Sequence, residues 1–214
     1  DDWRGNVGGT RRIAELAAGV GARFVFFSSG GAIYGEVADL ASEDAPAAPL
    51  SPYGRSKLAA EAAAREAVGA PIIVRPSNVY GPRQRSDLEG GVVSVFLNRA
   101  LRGETLELHG GGVAVRDFVY VGDVVDAVLK LVDGHHAGTW NVATGNSDRV
   151  LDVVEAVGAA LGRRVDVAIG ERRAGDIARS CLDSGALRRA TGWAPTYGLR
   201  QGISAMVEDF IAHG

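Results

Sequence analysis

Two patterns of apolar residues alternate along the first part of the chain: short continuous apolar runs and longer segments with the composition and spacing of helices. Continuous apolar runs at 23–27 (RFVFF) and 71–76 (PIIVRP) are typical of strands buried on both faces of a parallel sheet. Between them, the alanine-rich run LAAEAAAREA follows Ser-Pro, a common start of a helix. Strand, helix and strand in this order predict a βαβ unit.

The same two patterns predict the elements that flank this unit. At the start, Val7, Ile13, Leu16, Ala17 and Val20 recur at helical spacing and predict an amphipathic helix. Later helices are expected at 91–102, 123–132, 150–162, 183–192 and 199–213. Later strands are expected at 106–110, 116–121, 139–143 and 164–169. Helices and strands alternate, so the predicted fold class is α/β.

Composition and charge exclude several classes of protein. Of the 214 residues, 46% are hydrophobic and 23% charged, which is ordinary for a soluble globular protein. The net charge is −3 without a basic stripe, so nucleic acid is not an expected partner. No apolar run is long enough to span a bilayer, so no membrane is expected. The single cysteine, Cys181, excludes an internal disulfide and is expected in the core; no metal site is predicted, and the cytoplasm is the expected location.

The stretch SPYGRSK (51–57) places Tyr53 and Lys57 four residues apart at the start of the predicted helix. Side chains at this spacing lie on one face of a helix, so the two are expected to be neighbours. A nearby ammonium favours the phenolate form of tyrosine, which could then act as a base. Such pairs also occur by chance on amphipathic helices, so the spacing alone does not establish catalysis.

Two hydroxyl groups follow the first strand. Ser28 and Ser29 are expected at its carboxyl end, where open α/β sheets place their ligands. A hydroxyl there could bond to a substrate oxygen beside Tyr53. The alternative is that both serines only satisfy backbone groups in the Gly-Gly turn that follows.

Several motifs in register resemble one family. They are SSGGAIYGE, EDAPAAPLSPYGRSKLAAE, RPSNVYGPRQ, EGGVVSVF, RDFVYVGDVVDAV, NVATG and RRAGDIARSCLD, in this order. Together they resemble the extended short-chain dehydrogenase/reductases, and among these the UDP-glucose 4-epimerase branch of the NAD-dependent epimerase/dehydratase family. The resemblance covers nearly the whole chain.

The resemblance implies an architecture. It predicts the C-terminal part of a Rossmann-type parallel sheet with a smaller α/β lobe that binds the substrate. Residues 1–80 would belong to the NAD-binding domain, to which 116–145 return, and 81–115 with 146–214 would form the nucleotide-sugar lobe. NVGGT (6–10) resembles the family's fourth Rossmann helix, which implies that the N-terminal part of that domain is missing from this chain. The complete protein is expected to be a homodimer.

A reaction is implied as well. In the family, the tyrosine of this motif takes the proton of the sugar 4-hydroxyl while hydride passes from C4 to NAD. The 4-keto sugar then rotates in the site, and hydride returns to its other face. By resemblance, Tyr53 and Lys57 are catalytic and also meet the cofactor, together with Asn6 and Ser28. The family hydroxyl position is occupied by Gly30, so Ser29 is the first choice for the catalytic hydroxyl and Ser28 the reserve. Family dehydratases carry Asp-Glu where this chain has Gly31 and Ala32, which disfavours dehydration.

The resemblance also assigns a UDP-sugar site. Asn78 matches the residue that meets the diphosphate or sugar, and the backbone at Val92 and Val93 would meet uracil. The other matched positions are the diphosphate clamp Arg116 and Arg173, the uridine neighbours Phe118 and Asp176, and Ser180 beside the sugar. A serine at 180 leaves more room than an aromatic residue would, so an N-acetylated sugar is expected to fit.

Two alternatives remain open at this stage. A UDP-glucuronate 4-epimerase or decarboxylase would bind UDP in the same way. A non-catalytic nucleotide-sugar-binding remnant is also possible, because the glycine fingerprint of a dinucleotide site is not found. GVGARF (19–24) comes after a helix and before a strand, the reverse of the required context, and HGGG (109–112) has the pattern of a turn.

The missing fingerprint generates a prediction. The 214-residue chain alone should bind NAD poorly and turn over little or no UDP-sugar, because no backbone loop in it cradles the pyrophosphate. Calorimetric titration with NAD and an epimerisation assay on the purified chain measure this. Micromolar NAD binding accompanied by turnover would contradict it.

Overall fold

The computed structural model describes residues 2–87, 91–172 and 175–213. The helices are α1 (Thr10–Gly19), α2 (Gly30–Ile33), α3 (Pro52–Val68), α4 (Val92–Leu101), α5 (Val121–Asp133), α6 (Val150–Leu161), α7 (Gly185–Thr191) and α8 (Leu199–His213). The strands are β1 (Val25–Phe27), β2 (Ile72–Pro76), β3 (Asn78–Tyr80), β4 (Leu106–His109), β5 (Val115–Arg116), β6 (Phe118–Tyr120), β7 (Gly138–Val142), β8 (Asp148–Arg149), β9 (Val167–Gly170) and β10 (Arg179–Ser180). A π-helical segment, Arg4–Gly9, leads into α1, and a 3-10 turn, Gly110–Gly112, follows β4.

A parallel sheet with the strand order β1, β2, β7 positions the candidate site. Successive residues of β2 face opposite sides of it, as the pleat requires. Ile73 packs with Phe26 and Ala60 on the side of α3, whereas Ile72 and Val74 pack with the apolar face of α5. The sheet is therefore covered by helices on both faces, and the α/β class predicted from the sequence is confirmed.

The remaining strands form smaller sheets beside this one. β3 pairs with β6 and β4 with β9, both in parallel. β5 lies between β10, which is parallel to it, and β8, which is antiparallel. A second core of apolar side chains packs α4, α6 and α8 against these strands. Leu187 and Trp193, near the two ends of α7, pack instead with β2, β7 and α5.

Local signals explain where α3 begins and ends. Ser51 has extended backbone and its Oγ accepts a hydrogen bond from the Gly54 amide at 3.0 Å, which caps the helix. Pro52 occupies the first helical position, where its fixed φ suits the helix and its missing N–H costs nothing. The helix ends at Gly69, whose φ of 79° is left-handed.

Three sequence predictions are corrected by the structure. The strand expected at 116–121 is two strands, β5 and β6, because the buried Asp117 interrupts it and each piece pairs with different partners. The strand expected at 164–169 begins only at Val167. The run RFVFF is strand only at Val25–Phe27, and Phe27 is exposed because β1 lies at the edge of the described sheet.

The first helix is present, but its apolar residues are not inside. Ile13, Leu16 and Val20 are exposed, and Ala14 is the buried residue of α1 among those described. The amphipathic pattern predicted the helix correctly without identifying the surface that would cover its apolar side. Across the described residues, no helix combines the length and apolarity needed to cross a bilayer.

Two leucines of α5 provide a test of how this helix packs on the sheet. Leu131 is fully buried, whereas Leu129 on the same helix is 54% exposed. Leu131→Ala should lower the free energy of unfolding by about 2–5 kcal/mol, since it removes buried methyl groups and leaves a cavity. Leu129→Ala is the matched control and should change it by about 0.5 kcal/mol or less. Urea unfolding of both variants measures the difference, and equal losses would contradict the packing of α5 on the sheet.

Candidate active site

Tyr53 and Lys57 lie together on the first turns of α3, at the carboxyl end of β1. The Lys57 Nζ is 5.8 Å from the centre of the Tyr53 ring and 5.1 Å from that of Phe26. It donates a hydrogen bond to the Phe27 carbonyl oxygen at 2.9 Å, which fixes it at the end of the strand. Burial lowers the pKa of Lys57. The ammonium is thus held beside the phenol, as the spacing predicted.

Asn6 is tied to the same helix. Its Nδ2 donates to the Ser56 Oγ at 2.9 Å, and Ser56 in turn donates to the Tyr53 carbonyl oxygen at 2.8 Å. Asn6 therefore lies within the neighbourhood of Tyr53, although its amide is engaged with α3 rather than directed to an open cavity.

The two serines after β1 face different environments. Ser28 is buried and lies close enough to the Glu61 carboxylate to stabilise its charge, but its Oγ has no hydrogen bond of normal geometry to any described residue. Ser29 is half-buried and precedes α2 with extended backbone, and its side chain does not cap that helix. Ser29 is thus the more accessible hydroxyl of the pair.

The short helix α2, which follows Ser29, touches α3 directly. A Cβ placed on Gly54, the residue after Tyr53, would overlap the Ala32 carbonyl oxygen. Only glycine allows this close approach of two backbones. The carbonyl of Ala32 therefore abuts the turn of α3 that carries Tyr53.

A buried ion pair lies two turns further along α3. Glu61 accepts two hydrogen bonds from Arg75 on β2, Nε to Oε1 at 2.8 Å and Nη2 to Oε2 at 2.7 Å, and a third from Arg65 at 3.1 Å. Burial alone would raise the pKa of Glu61, but the hydrogen bonds and charge of Arg75 hold it below its ordinary value. Glu61 is therefore ionised at neutral pH.

A cavity of about 300 Å³ opens beside Tyr53. Its wall is formed by Tyr53, Asn78, Val79, Tyr80, Gln84, Gly91, Val92, Val93 and Phe118. These residues come from the start of α3, from β3 and the loop after it, from the start of α4 and from β6. The cavity has the size and the mixture of apolar and polar groups typical of a small-molecule site.

Four of the predicted substrate residues line this cavity. Asn78 donates its Nδ2 to the Asp117 carbonyl oxygen at 3.0 Å. Phe118 is buried and packs edge-on against Tyr80, with the ring centres 6.5 Å apart. Val92 and Val93 lie at the start of α4. The Val93 side chain belongs to the second apolar core, so a ligand would meet mainly its backbone.

One of the two arginines of the predicted diphosphate clamp lies within the described residues. Arg116, on β5, is half-buried, and burial lowers its pKa while the nearby Asp176 opposes that shift. Its Nη1 donates to the Val115 carbonyl oxygen at 2.9 Å. Arg172 donates to the Asp176 carbonyl oxygen at 2.8 Å. Arg173, the other predicted clamp residue, lies outside the described residues.

Ser180 contacts the short segment that follows Ser29. It is buried on β10, in register with Arg116, and its Oγ is 3.5 Å from the Gly31 carbonyl oxygen. It does not line the 300 Å³ cavity. A larger side chain at 180 would press on the turn that follows Ser29.

A larger groove of about 460 Å³ lies away from this chemistry, where α6 and α8 begin. Its wall includes Asp148, Asp152, Leu199 and Arg200. Asp152 already pairs with Arg149 at the start of α6. The groove holds none of the predicted site residues, so the smaller cavity beside Tyr53 is the candidate site. Within the described ranges, no three His, Cys, Asp or Glu side chains are grouped so that they could hold a metal ion.

Sequence reasoning missed several residues around the site. Gly54 and Glu61 carried a signal, since a small residue lies inside the Tyr-Lys motif and a carboxylate follows it on the same helix. Arg75, Tyr34 and Gln84 carried none, because their roles depend on contacts between distant segments.

A parallel α/β sheet with a tyrosine and a lysine four residues apart at its carboxyl edge defines a Rossmann-type enzyme of the short-chain dehydrogenase/reductase class. The particular family follows from comparison. A model of the NAD dependent epimerase/dehydratase family matches residues 1–143, and the chain belongs to this family.

Individual relatives are similar over almost the whole chain. UDP-glucose 4-epimerase of Mycolicibacterium smegmatis is 39% identical and covers 96% of this chain, which spans 68% of that protein. UDP-glucuronic acid decarboxylase 2 of Arabidopsis thaliana is 31% identical over 96% of this chain and 48% of its own length. The structure of Thermus thermophilus UDP-glucose 4-epimerase in complex with NAD superposes with a TM-score of 0.89 at 37% identity, covering 98% of this chain and 70% of that one.

Proposed function

We propose that this chain carries the catalytic tyrosine and the sugar site of an NAD-dependent enzyme that inverts C4 of a UDP-sugar through a 4-keto intermediate. The observation that carries the proposal is the position of Tyr53, which both neighbours the fixed Lys57 ammonium and forms part of the wall of the 300 Å³ cavity. A base must reach the proton that it takes, and here the phenol faces the space that a sugar would occupy. The similarity to UDP-glucose 4-epimerases supports the choice of reaction.

Tyr53 takes the proton of the sugar 4-hydroxyl and later returns it. Lys57 favours the phenolate by its charge, since a positive group within a few ångströms stabilises the ionised phenol. Ser29 is the hydroxyl best placed to bond to the same sugar oxygen, because Ser28 is turned into the protein beside Glu61. The proton therefore moves between the sugar 4-hydroxyl and a phenol that this chain supplies.

The residues present fit the nicotinamide end of NAD. The half-buried Lys57 ammonium and the Tyr53 phenol lie at the carboxyl end of β1, where parallel sheets bind dinucleotides, and Asn6 lies beside them. When bound, NAD accepts the hydride of C4 and gives it back. Tyr53, Lys57 and Asn6, with Ser28 as the fourth predicted residue, are those that would hold this end of the cofactor.

Arg116 and Asp176 would hold the UDP portion together with Val92, Val93 and Phe118 in the cavity wall, and the part of the cavity next to Tyr53 would hold the sugar. A guanidinium suits a diphosphate because its planar fork can donate two parallel hydrogen bonds. A UDP-glucuronate decarboxylase would bind UDP in the same way, and the similarity to the Arabidopsis protein favours decarboxylation as the second candidate. Release of CO₂ from UDP-glucuronate, measured beside epimerisation of UDP-glucose, separates the two.

The tyrosine assignment is tested in the complete gene product that contains this chain. Tyr53→Phe should lower kcat by about 10²–10⁴-fold, because it removes the proton acceptor, while the affinity for UDP-sugar stays nearly unchanged. Lys57→Met should also lower kcat and in addition weaken NAD binding. Tyr197→Phe is the matched control, since the two tyrosines are 38% and 37% exposed. Near-normal turnover of the Tyr53→Phe enzyme would refute the assignment.

The choice of sugar is tested at Ser180. Because this serine contacts the Gly31 carbonyl oxygen, a tyrosine in its place would push the segment after Ser29 towards the proposed sugar site. We expect the unmutated enzyme to epimerise UDP-glucose, UDP-galactose and their N-acetylated counterparts, and Ser180→Tyr to suppress only the N-acetylated pair. Measurement of kcat/KM for both pairs decides this. Equal losses for both pairs, or an inert N-acetylated pair in the unmutated enzyme, would show that Ser180 does not control sugar size.

A further inference from the structure

A chain of buried hydrogen bonds leads from α3 to the loop after Ser29. Arg75, which holds Glu61, also donates from Nη1 to the Tyr34 Oη at 2.8 Å. The Tyr34 hydroxyl donates onward to the Asn141 Oδ1 at 2.9 Å. All four side chains are buried, and none of them lines the cavity beside Tyr53.

Each member of this chain belongs to a different segment. Glu61 lies on α3, two turns after Tyr53, and Arg75 lies on β2. Tyr34 comes directly after α2, the short helix that begins after Ser29. Asn141 lies on β7. The bonds therefore connect the helix that bears Tyr53 and Lys57 with the far end of the short segment that begins at Ser29.

The protonation states fix which group donates and which accepts in each of these hydrogen bonds. Glu61 is ionised, and it receives two of the Arg75 donors. Burial raises the pKa of Tyr34, so its phenol stays neutral and can accept from Arg75 while it donates to Asn141. The Asn141 Nδ2 is engaged with the carbonyl oxygens of Ala41 and Asp183, at 2.9 and 3.1 Å, so its Oδ1 is left as the acceptor. The arrangement has one consistent set of donors and acceptors.

We propose that Glu61, Arg75 and Tyr34 are positioning residues of the reaction, which hold the Ser29 segment at a fixed distance from Tyr53. The inference rests on the proposed function. Two points then fix the segment against α3: the close approach of Ala32 to Gly54 near its middle, and the hydrogen bond of Tyr34 to Arg75 at its end. Proton transfer between bound groups is sensitive to displacements of about an ångström, so a loosened segment should slow the chemical step rather than weaken binding.

Tyr34→Phe is the least disruptive test, since it removes one hydroxyl and keeps the ring in the core. In the complete gene product, we expect kcat for UDP-glucose to fall about tenfold, a loss of the order of one buried hydrogen bond, with KM within about twofold of the unmutated value. In the same gene product, amide exchange should become faster at Ala32 and Ile33, whose N–H groups donate to the Ser29 carbonyl oxygen. Tyr197→Phe is again the control and should change neither quantity.

A second pair of variants separates positioning from stability. Glu61→Leu alone leaves the Arg75 guanidinium buried without its partner, so a large loss of stability is expected. Adding Arg75→Met removes that charge with a side chain of similar volume. The double variant should regain thermal stability over Glu61→Leu, but its kcat should stay low because the bond to Tyr34 is absent.

The outcomes have distinct meanings. If kcat of Tyr34→Phe is unchanged, or if kcat of the double variant recovers in step with its melting temperature, the positioning inference is overturned. If the unmutated gene product shows no turnover of UDP-glucose, the proposed function fails, and the inference that rests on it fails with it. Low kcat at kept KM, together with faster exchange at Ala32 and Ile33, supports it.

Discussion

The buried ion pair between Glu61 and Arg75 is the interaction on which the candidate site depends. A carboxylate without exposed surface keeps its charge only if a cation bonds to it, and Arg75 supplies two bonds of 2.8 and 2.7 Å. Loss of one partner of such a pair typically costs about 3–5 kcal/mol, so α3 cannot slide along β2 without a large penalty. Because Tyr53 and Lys57 are on the same helix, their position at the carboxyl end of β1 follows from this bond.

A second buried carboxylate, Asp117, joins segments that lie next to the cavity. Asp117 accepts hydrogen bonds from the Ser77 hydroxyl, from the amide and hydroxyl of Thr144 and from the Gly145 amide, at 2.7–3.0 Å. Burial raises its pKa, and these bonds oppose the shift. Asp117 thereby interrupts the strand between Arg116 and Phe118 and anchors the residue before Asn78. The lining residues Asn78 and Phe118 therefore lie next to segments that Asp117 anchors.

The sequence was informative where a signal is local and silent where contacts join distant segments. The pairing of Tyr53 with Lys57 depends on the period of one helix, and the α/β class depends on the lengths of apolar runs, so both were predicted. The hydrogen bonds of Arg75 join residues 14 and 41 positions away, and no periodicity reports such contacts. The same reason explains why one strand was predicted at 116–121: its residues favour a strand, but the tertiary bonds of Asp117 divide it.

The binding of the nucleotide and the choice of reaction are carried by different parts of this arrangement. Arg116 and Asp176 would meet the UDP portion, which all the candidate substrates share, and therefore cannot distinguish an epimerase from a decarboxylase. The groups that differ between sugars would lie near the segment that begins at Ser29. That segment contacts α3 through Gly54, Ser180 through Gly31, and Arg75 through Tyr34. Its position depends on all three contacts at once, so a change at Ser180, at Gly54 or in the Arg75–Tyr34 hydrogen bond would act on the proposed sugar site through the same short segment.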